Sequence, residues 1–320
     1  MSAFLHLSTR MALCLLAATM VLPTPVAAQG PVGTPVAFAG AAAEAAGPDE
    51  RPLGWPFASP FASHQLEYPR VKEARLQTRF GIKELYRERG ITYPAAELYV
   101  RVFKRERVLE VWARPTGGER YELLNQYLVC ALEGSLGPKR QEGDGQTPEG
   151  FYALDFFNPE SDFHLSLHLD YPNRSDRALG HPAGAGGEIF IHGGCQTAGC
   201  IAVNDEAIKE IYWLAVEARA GGQERIPVHI FPARLEDYDM EQLHRVFGEQ
   251  PELLAFWEGL RPAYTHFEES RTLPAIGVLA DGRYIVNGVA GALPGAPAAP
   301  VEDGPVGRPV GRTAAGGGGV

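Results

Sequence analysis

This chain has little cysteine, little basic charge and no long apolar run, and each shortage narrows what it can be. Its 29 Lys and Arg residues are outnumbered by 39 acidic ones, for a net charge of −10. An acidic chain without a basic stripe is a poor candidate for nucleic-acid binding. The apolar run from Met11 to Leu22 is about twelve residues long, whereas a bilayer-spanning helix needs about twenty. No later segment is long and apolar enough to cross a membrane, and no internal repeat is evident. There are four cysteines, and only Cys130, Cys195 and Cys200 lie beyond the apolar run. In an oxidising compartment an odd count leaves at least one thiol free, which raises a functional suspicion.

The first residues read as an address. Arg10 is the only charge before Glu44, the apolar run follows, and Val26-Ala27-Ala28 supplies small residues at a cleavage position. This pattern predicts a secretory signal peptide over 1–28, cleaved after Ala28, and therefore export to the periplasm. Cleavage removes one Arg and no acid, which takes the net charge from −10 to −11. Residues 29–66 are rich in Ala, Gly and Pro and read as a linker, and 291–320, ending in Gly316 to Gly319, read as a disordered tail.

Between these ends the pattern is β-rich with helices added. A helical lead-in is predicted over 67–96, centred on Val71 to Arg89. Leu98 to Phe103 and Val108 to Ala113 form a hairpin, with Leu98, Val100 and Val102 on one face. Tyr121 to Leu132 is a further apolar stretch, within which Cys130 reads as a buried small hydrophobe. A polar, glycine-rich loop, Gly137 to Gly150, precedes strand-like runs at Phe151 to Asp155, Phe163 to Asp170 and Glu188 to His192. His164 and His168 then share a face and read as a structural pair. Asn204, followed by Asp205 and Glu206, caps a helix that carries Ile208, Ile211, Tyr212, Ala215 and Val216 and stops at Gly221-Gly222. Ile226 to Phe231 is a strand. Met240 to Phe247 and Pro251 to Leu260 are short helices, and Ile276 to Val286 holds a small hairpin. The aromatic residues Phe256, Trp257, Tyr264 and Phe267 read as packing.

The chemistry concentrates in I-F-I-H-G-G-C-Q-T-A-G-C-I-A-V, Ile189 to Val203. A histidine, two cysteines, a threonine and three glycines follow directly on an apolar strand. A thiol acts as a nucleophile through its thiolate, and a neighbouring imidazole is the usual means of forming one near neutral pH. Three readings compete. Cys200 can be a nucleophile with His192 as base and backbone N–H groups at Gly199 and Cys200 facing an oxyanion. His192, Cys195 and Cys200, with Cys130, can bind zinc, although H-x2-C-x4-C is not a paired knuckle. Cys195 and Cys200 can form a disulfide that silences the thiol.

Together, T-P-E-G-F-Y (Thr147 to Tyr152), Y-P-N (Tyr171 to Asn173) and I-H-G-G-C-Q-T-A-G-C-I (Ile191 to Ile201) resemble the L,D-transpeptidase (YkuD-type) catalytic domain, and most of all its YafK-like murein branch. The resemblance spans Leu98 to Phe231, and Phe256-Trp257 to Tyr284 is similar to that branch's C-terminal extension. It implies an α+β fold, with a β-rich catalytic domain over 97–232 and a helical extension over 233–290. It also implies that Cys200 attacks the carbonyl of a meso-diaminopimelate in a peptidoglycan stem peptide, expels the terminal D-Ala and leaves a thioester for an amine or water. By the same resemblance His192 is the base, steadied through the Gly193 carbonyl, Thr197 is the motif hydroxyl and Gly199 lies in the oxyanion region. Tyr171, Asn173, His181 and Cys195 are candidate substrate contacts, with no cofactor and no metal. The implied partners are peptidoglycan stem peptides and a murein-linked lipoprotein.

The sequence departs from the wider family in its spacing. His192 and Thr197 have four residues between them, whereas His181 and Thr197 have fifteen, the number common in the family. His192 remains the choice because it ends an apolar strand before Gly-Gly. Ala198 and Ala202 stand where many members carry a histidine and an arginine. Transfer and hydrolysis both stay open, and a non-catalytic, disulfide-locked wall-binding module is the alternative of another class.

Overall fold

A computed structural model describes residues 59–290. The predicted signal peptide, most of the predicted linker and the predicted tail lie outside the described residues. The linker's end is helical: α1 (Pro60–Gln65) buries Ala62 and Gln65. Helix α2 (Pro69–Glu88) starts on a proline, whose missing N–H costs nothing in a first turn. Its buried residues Val71, Ala74, Thr78, Ile82 and Tyr86 recur at helical spacing.

The strands are β1 (Glu97–Phe103), β2 (Val108–Arg114), β3 (Glu122–Leu128), β4 (Gly150–Asn158), β5 (Ser166–Leu169), β6 (Phe190–His192), β7 (Ile201–Ala202) and β8 (Ile226–Phe231). They form one sheet in the order β3-β2-β1-β8-β4-β5-β6-β7. The β1–β8 and β6–β7 pairs are parallel and the others antiparallel. The sheet curls until its ends meet. Beyond β3, the Cys130 N–H donates to the Ala202 carbonyl at 2.9 Å, and Ala131 bridges Ala202.

One face of the sheet carries the larger core. Leu98, Val100, Val102, Leu154, Leu167, Leu169, Ile191 and Ile201 pack there with α2 and with α4 (Asp205–Ala220). Helix α4 begins as the sequence predicts, with the Asn204 side chain accepting the Ala207 N–H at 2.8 Å. The opposite face is divided. Over β1, β8 and the start of β4, residues Phe103, Phe231 and Phe151 are covered by α5 (Asp237–Phe247), α6 (Pro251–Ser270) and Tyr284 and Val286 of a three-stranded sheet. That small sheet is β9 (Ile276–Val278), β10 (Tyr284–Val286) and β11 (Val289–Ala290). Helix α6 runs ten residues further than the sequence pattern ends it, and Trp257, Tyr264 and Phe267 are buried packing residues.

A charged network fastens this extension down. Arg101, buried on β1, donates through Nε and Nη2 to Glu110 at 3.0 and 2.7 Å and through Nη1 to Glu268 of α6 at 2.6 Å. Removing Glu110 would leave the buried guanidinium with Glu268 as its remaining carboxylate partner and two of its donors unmatched. The sequence also missed a short helix, α3 (Arg174–Leu179). Its signal was legible as a capping box, with Asn173 and Asp176 three residues apart and each bonding the other's backbone N–H.

Candidate active site

His192 ends β6 and Cys200 immediately precedes β7, and these two strands lie side by side in parallel. Ile191 pairs with Ile201 and His192 with Ala202. Alternate residues of a strand share a face. Ile191 and Ile201 enter the larger core, so His192 and Cys200 project from the opposite face. That is the part of the sheet the C-terminal extension leaves open.

The imidazole is held from two sides. His192 is 2% exposed, and the Phe163 ring lies 4.6 Å from it, centroid to centroid. Its Nδ1 is 2.6 Å from the Gly193 carbonyl oxygen, which can only accept, so Nδ1 carries the proton and Nε2 is left as the acceptor. Gly193 admits no side chain, since a Cβ there would lie 2.6 Å from Asp205 Oδ1 and 2.9 Å from the Phe163 carbonyl. Asp205 also accepts the Gly194 N–H at 2.9 Å, which ties the loop after His192 to the first turn of α4.

The half-buried Cys200 is the one free cysteine among the described residues. Its Sγ accepts the Phe190 N–H at 3.4 Å and lies 3.5 Å from the Glu188 carbonyl. Burial pushes the thiol pKa up, while the Phe190 N–H and the Thr197 hydroxyl favour the thiolate. More weakly, Glu188 opposes the thiolate and Lys139 supports it. Thr197 Oγ1 is buried without a hydrogen-bond partner of its own and stands close enough to the thiol to favour its thiolate. Burial lowers the His192 pKa, against the Gly193 carbonyl, which raises it. Both shifts favour the uncharged form of each group.

The 137–149 loop supports Cys200 from behind. Gly199 adopts φ +113°, and a Cβ there would stand 3.2 Å from the Gln146 carbonyl, so a side chain would be both strained and crowded. Thr147 Oγ1 reaches the Cys200 carbonyl at 3.4 Å. The loop is fixed by a buried centre in which Lys104 Nζ donates to the carbonyls of Gly137 (2.8 Å) and Thr147 (2.9 Å) and pairs with Glu149 at 3.0 Å. Glu149 accepts in turn from the Gly137 N–H and from Trp257 Nε1 of α6, both at 2.7 Å.

The other sequence expectations fall differently. Cys195 pairs with Cys130, not with Cys200, across 65 residues of sequence. Cys130 is thus no core hydrophobe, Cys195 offers no thiol to substrate, and the locked Cys195–Cys200 form is ruled out. With both sulfurs in a disulfide, the zinc reading loses two of its ligands. Tyr171 is buried, and its hydroxyl donates to the Ala185 carbonyl at 2.9 Å. Asn173 caps α3 and donates to the Phe151 carbonyl and the Tyr284 hydroxyl. Both residues are engaged in holding the local structure. His181 is exposed, its N–H bonded to the Arg140 carbonyl of the 137–149 loop. His164 lies outside β5 at φ +71°, while His168 sits within it and bonds Asp155 at 2.6 Å. The expected pair is therefore split.

The L,D-transpeptidase catalytic domain (YkuD) model matches residues 98–230. Escherichia coli K12 carries a relative, "Putative L,D-transpeptidase YafK", that is 36% identical over 192 residues, 59% of this chain and 74% of that protein. The chain belongs to the L,D-transpeptidase (YkuD) family. This L,D-transpeptidase domain is α+β, a curled mixed sheet with helices on both faces. Among solved structures, the helical cell shape determining protein Pgp2 of Campylobacter jejuni is 19% identical, with a TM-score of 0.36 over 57% of this chain and 73% of that one. Bdellovibrio bacteriovorus Bd1075 is 20% identical, with a TM-score of 0.32 over 58% and 78%. Among the described residues no helix is long and apolar enough to cross a membrane.

Proposed function

We propose that this protein is an exported cysteine L,D-transpeptidase that works in the periplasm on peptidoglycan stem peptides, through a thioester on Cys200. The observation that carries the reading is the placement of His192 and Cys200 on one open face of adjacent parallel strands, with the imidazole tautomer that leaves Nε2 as acceptor. In the first half-reaction Nε2 takes the thiol proton as Sγ bonds to the meso-diaminopimelate carbonyl carbon. The oxyanion is met by backbone N–H groups at Gly199 and Cys200 and by the Thr197 hydroxyl. The C–N bond to the terminal D-Ala then breaks, and the imidazolium returns its proton to the leaving amine. An acceptor amine repeats the sequence in reverse, losing its proton to His192 and releasing the thiolate.

One observation favours a second outcome. Gly194, Cys195, Gln196 and Ala198 are all exposed, so the short loop between base and nucleophile leaves water access to the site. Water as acceptor makes the enzyme a hydrolase of stem peptides or of the link between diaminopimelate and a murein-bound lipoprotein. Incubating wild type and Cys200→Ala with muropeptides and following products by mass spectrometry tests both outcomes. The reading requires a Cys200-dependent protein adduct with loss of D-Ala. New cross-links indicate transfer, and trimmed stems or a released lipoprotein end indicate hydrolysis. Turnover that survives Cys200→Ala would remove the reading.

A further inference from the structure

Two large apolar side chains of α2 stand in solvent. Leu76 and Phe80 are 55% and 58% exposed. They are one helical turn apart, so they form a single patch on one face. The buried residues Val71, Ala74, Thr78, Ile82 and Tyr86 lie on the opposite side of the helix. Packing within the chain therefore does not account for Leu76 and Phe80.

Basic groups frame the patch. Lys72 precedes Leu76 by one turn, and Lys83 and Arg87 follow Phe80 by one and two turns, all three exposed. The Arg79 guanidinium lies over the Phe80 ring, 4.6 Å from its centroid. Glu73 and Glu84 border the patch on one side, and Glu84 is ion-paired with Arg87. Across the whole of α2, six Lys and Arg residues stand against three acids. The balance reverses beyond the sheet, where α5 and α6 together carry seven acids and two arginines. A chain of net charge −10 is thus polarised from one side of its sheet to the other.

The layering decides what lies on each side. Ile211 to Ala218 of α4 are buried without a break, which requires cover all round the helix. The sheet supplies one side of that cover and α1 and α2 the other. Helix α2 is the outer layer, so two helix thicknesses, about 20 Å, separate its patch from the sheet. His192 and Cys200 project from the sheet's far face.

We propose that the outward face of α2 rests on an anionic phospholipid surface, with Leu76 and Phe80 inserted at headgroup depth and the basic side chains over lipid phosphates. Apolar side chains framed by Lys and Arg are the composition of a helix that lies in a membrane interface. Two side chains offer too little area for a stable protein–protein interface, whereas a lipid surface needs no matching shape. In this orientation the catalytic face points away from the bilayer. The inference rests on the export in the reading above and adds to it the surface that the exported protein meets.

Vesicle co-sedimentation tests it. The exported form, without residues 1–28, is mixed with vesicles of phosphatidylglycerol and phosphatidylethanolamine, and with vesicles of phosphatidylcholine alone. Binding should be confined to the anionic vesicles and should weaken as salt is raised, because surface charge is screened. Leu76→Ser combined with Phe80→Ser should lower the affinity about tenfold. Lys72→Gln combined with Lys83→Gln should lower it about 10- to 30-fold, at about fivefold per charge. Both variants should keep the wild-type unfolding midpoint, since the altered side chains are exposed. Equal binding to both vesicle types, unchanged binding in both variants, or no binding at all would overturn the surface. So would a wild-type dimer that the Leu76 and Phe80 changes abolish. Turnover of soluble muropeptides is followed separately in all three proteins. Turnover without lipid binding rejects the surface alone, whereas lipid binding without turnover rejects the chemistry alone.

Discussion

Cys130 and Cys195 are joined by a disulfide that ties the closing edge of the sheet to the loop between His192 and Cys200. The residues after β3 already bond to Ala202 of β7, so the covalent link holds the short Gly193–Gly199 segment against the strand that follows Cys200. Cys195 is therefore engaged with a distant partner, and Cys200 is left free.

A thiol count follows from this pairing. Denatured protein lacking residues 1–28 should titrate one thiol without reductant and three after reduction. Replacing Cys130 and Cys195 together by serine should cost about 4 kcal/mol of unfolding free energy, the loop-entropy value for a closure of this length. Chemical denaturation in matched buffers measures it, and a count of three thiols without reductant would contradict the pairing.

The thiol should titrate late. Burial raises the Cys200 pKa from its ordinary 9.0 and lowers that of His192 from 6.5, so both shifts favour the uncharged form of each group. Alkylation of Cys200 by iodoacetamide should accelerate as pH rises towards and beyond 9, because the thiolate is the reactive form. A plateau already reached near pH 6, the mark of a thiolate–imidazolium pair, is the contrary result.

Trp257 should act on the site from a distance. Trp257→Phe keeps the buried ring and removes the indole N–H that Glu149 accepts at 2.7 Å. A hydrogen bond to a charged group contributes about 1.5–3 kcal/mol, and its loss loosens the loop behind Gly199 and Cys200. The expected outcome is kcat about fivefold lower with KM little changed, since a small displacement of a reacting group costs rate. The pH profile of Cys200 alkylation should shift in the same variant. A loss of stability without either change would make Trp257 a packing residue only.

Glu217 should impose a pH dependence on stability. It accepts from Trp213 Nε1 at 2.9 Å and from the Tyr93 hydroxyl, and burial raises its pKa from 4.5 to about 7. Between those values the unfolded chain has released a proton that the folded chain keeps. The contribution is therefore complete below 4.5 and is lost as pH rises through about 7. Wild type should lose up to about 3 kcal/mol over that window through this group, and Glu217→Gln should lose correspondingly less. Parallel denaturation of the two proteins at pH 5 and pH 8 checks it.

Much of the site was legible because local chemistry demands it. A strand ending in His-Gly-Gly, a glycine before the cysteine and an Asn cap with acids behind it are short-range requirements, and the structure keeps each of them. The pairing of Cys130 was not legible, because it depends on the sheet curling until β3 and β7 meet. The bonds of Tyr171 to the Ala185 carbonyl and of Asn173 to the Phe151 carbonyl and the Tyr284 hydroxyl join segments far apart in the chain and were not legible either.

The sequence by itself determined the candidate pair His192 and Cys200 and the strand and helix that bracket them, because periodicity, capping and glycine requirements act over a few residues. Only the tertiary structure decided which cysteines pair, which half of the catalytic face stays open and what stands behind the thiol. Those outcomes depend on contacts between segments far apart in the chain: Cys130 with Cys195, Trp257 with Glu149, and Phe156 with His168. No local pattern encodes them, since the free energy that selects them is gained only when the whole sheet has closed.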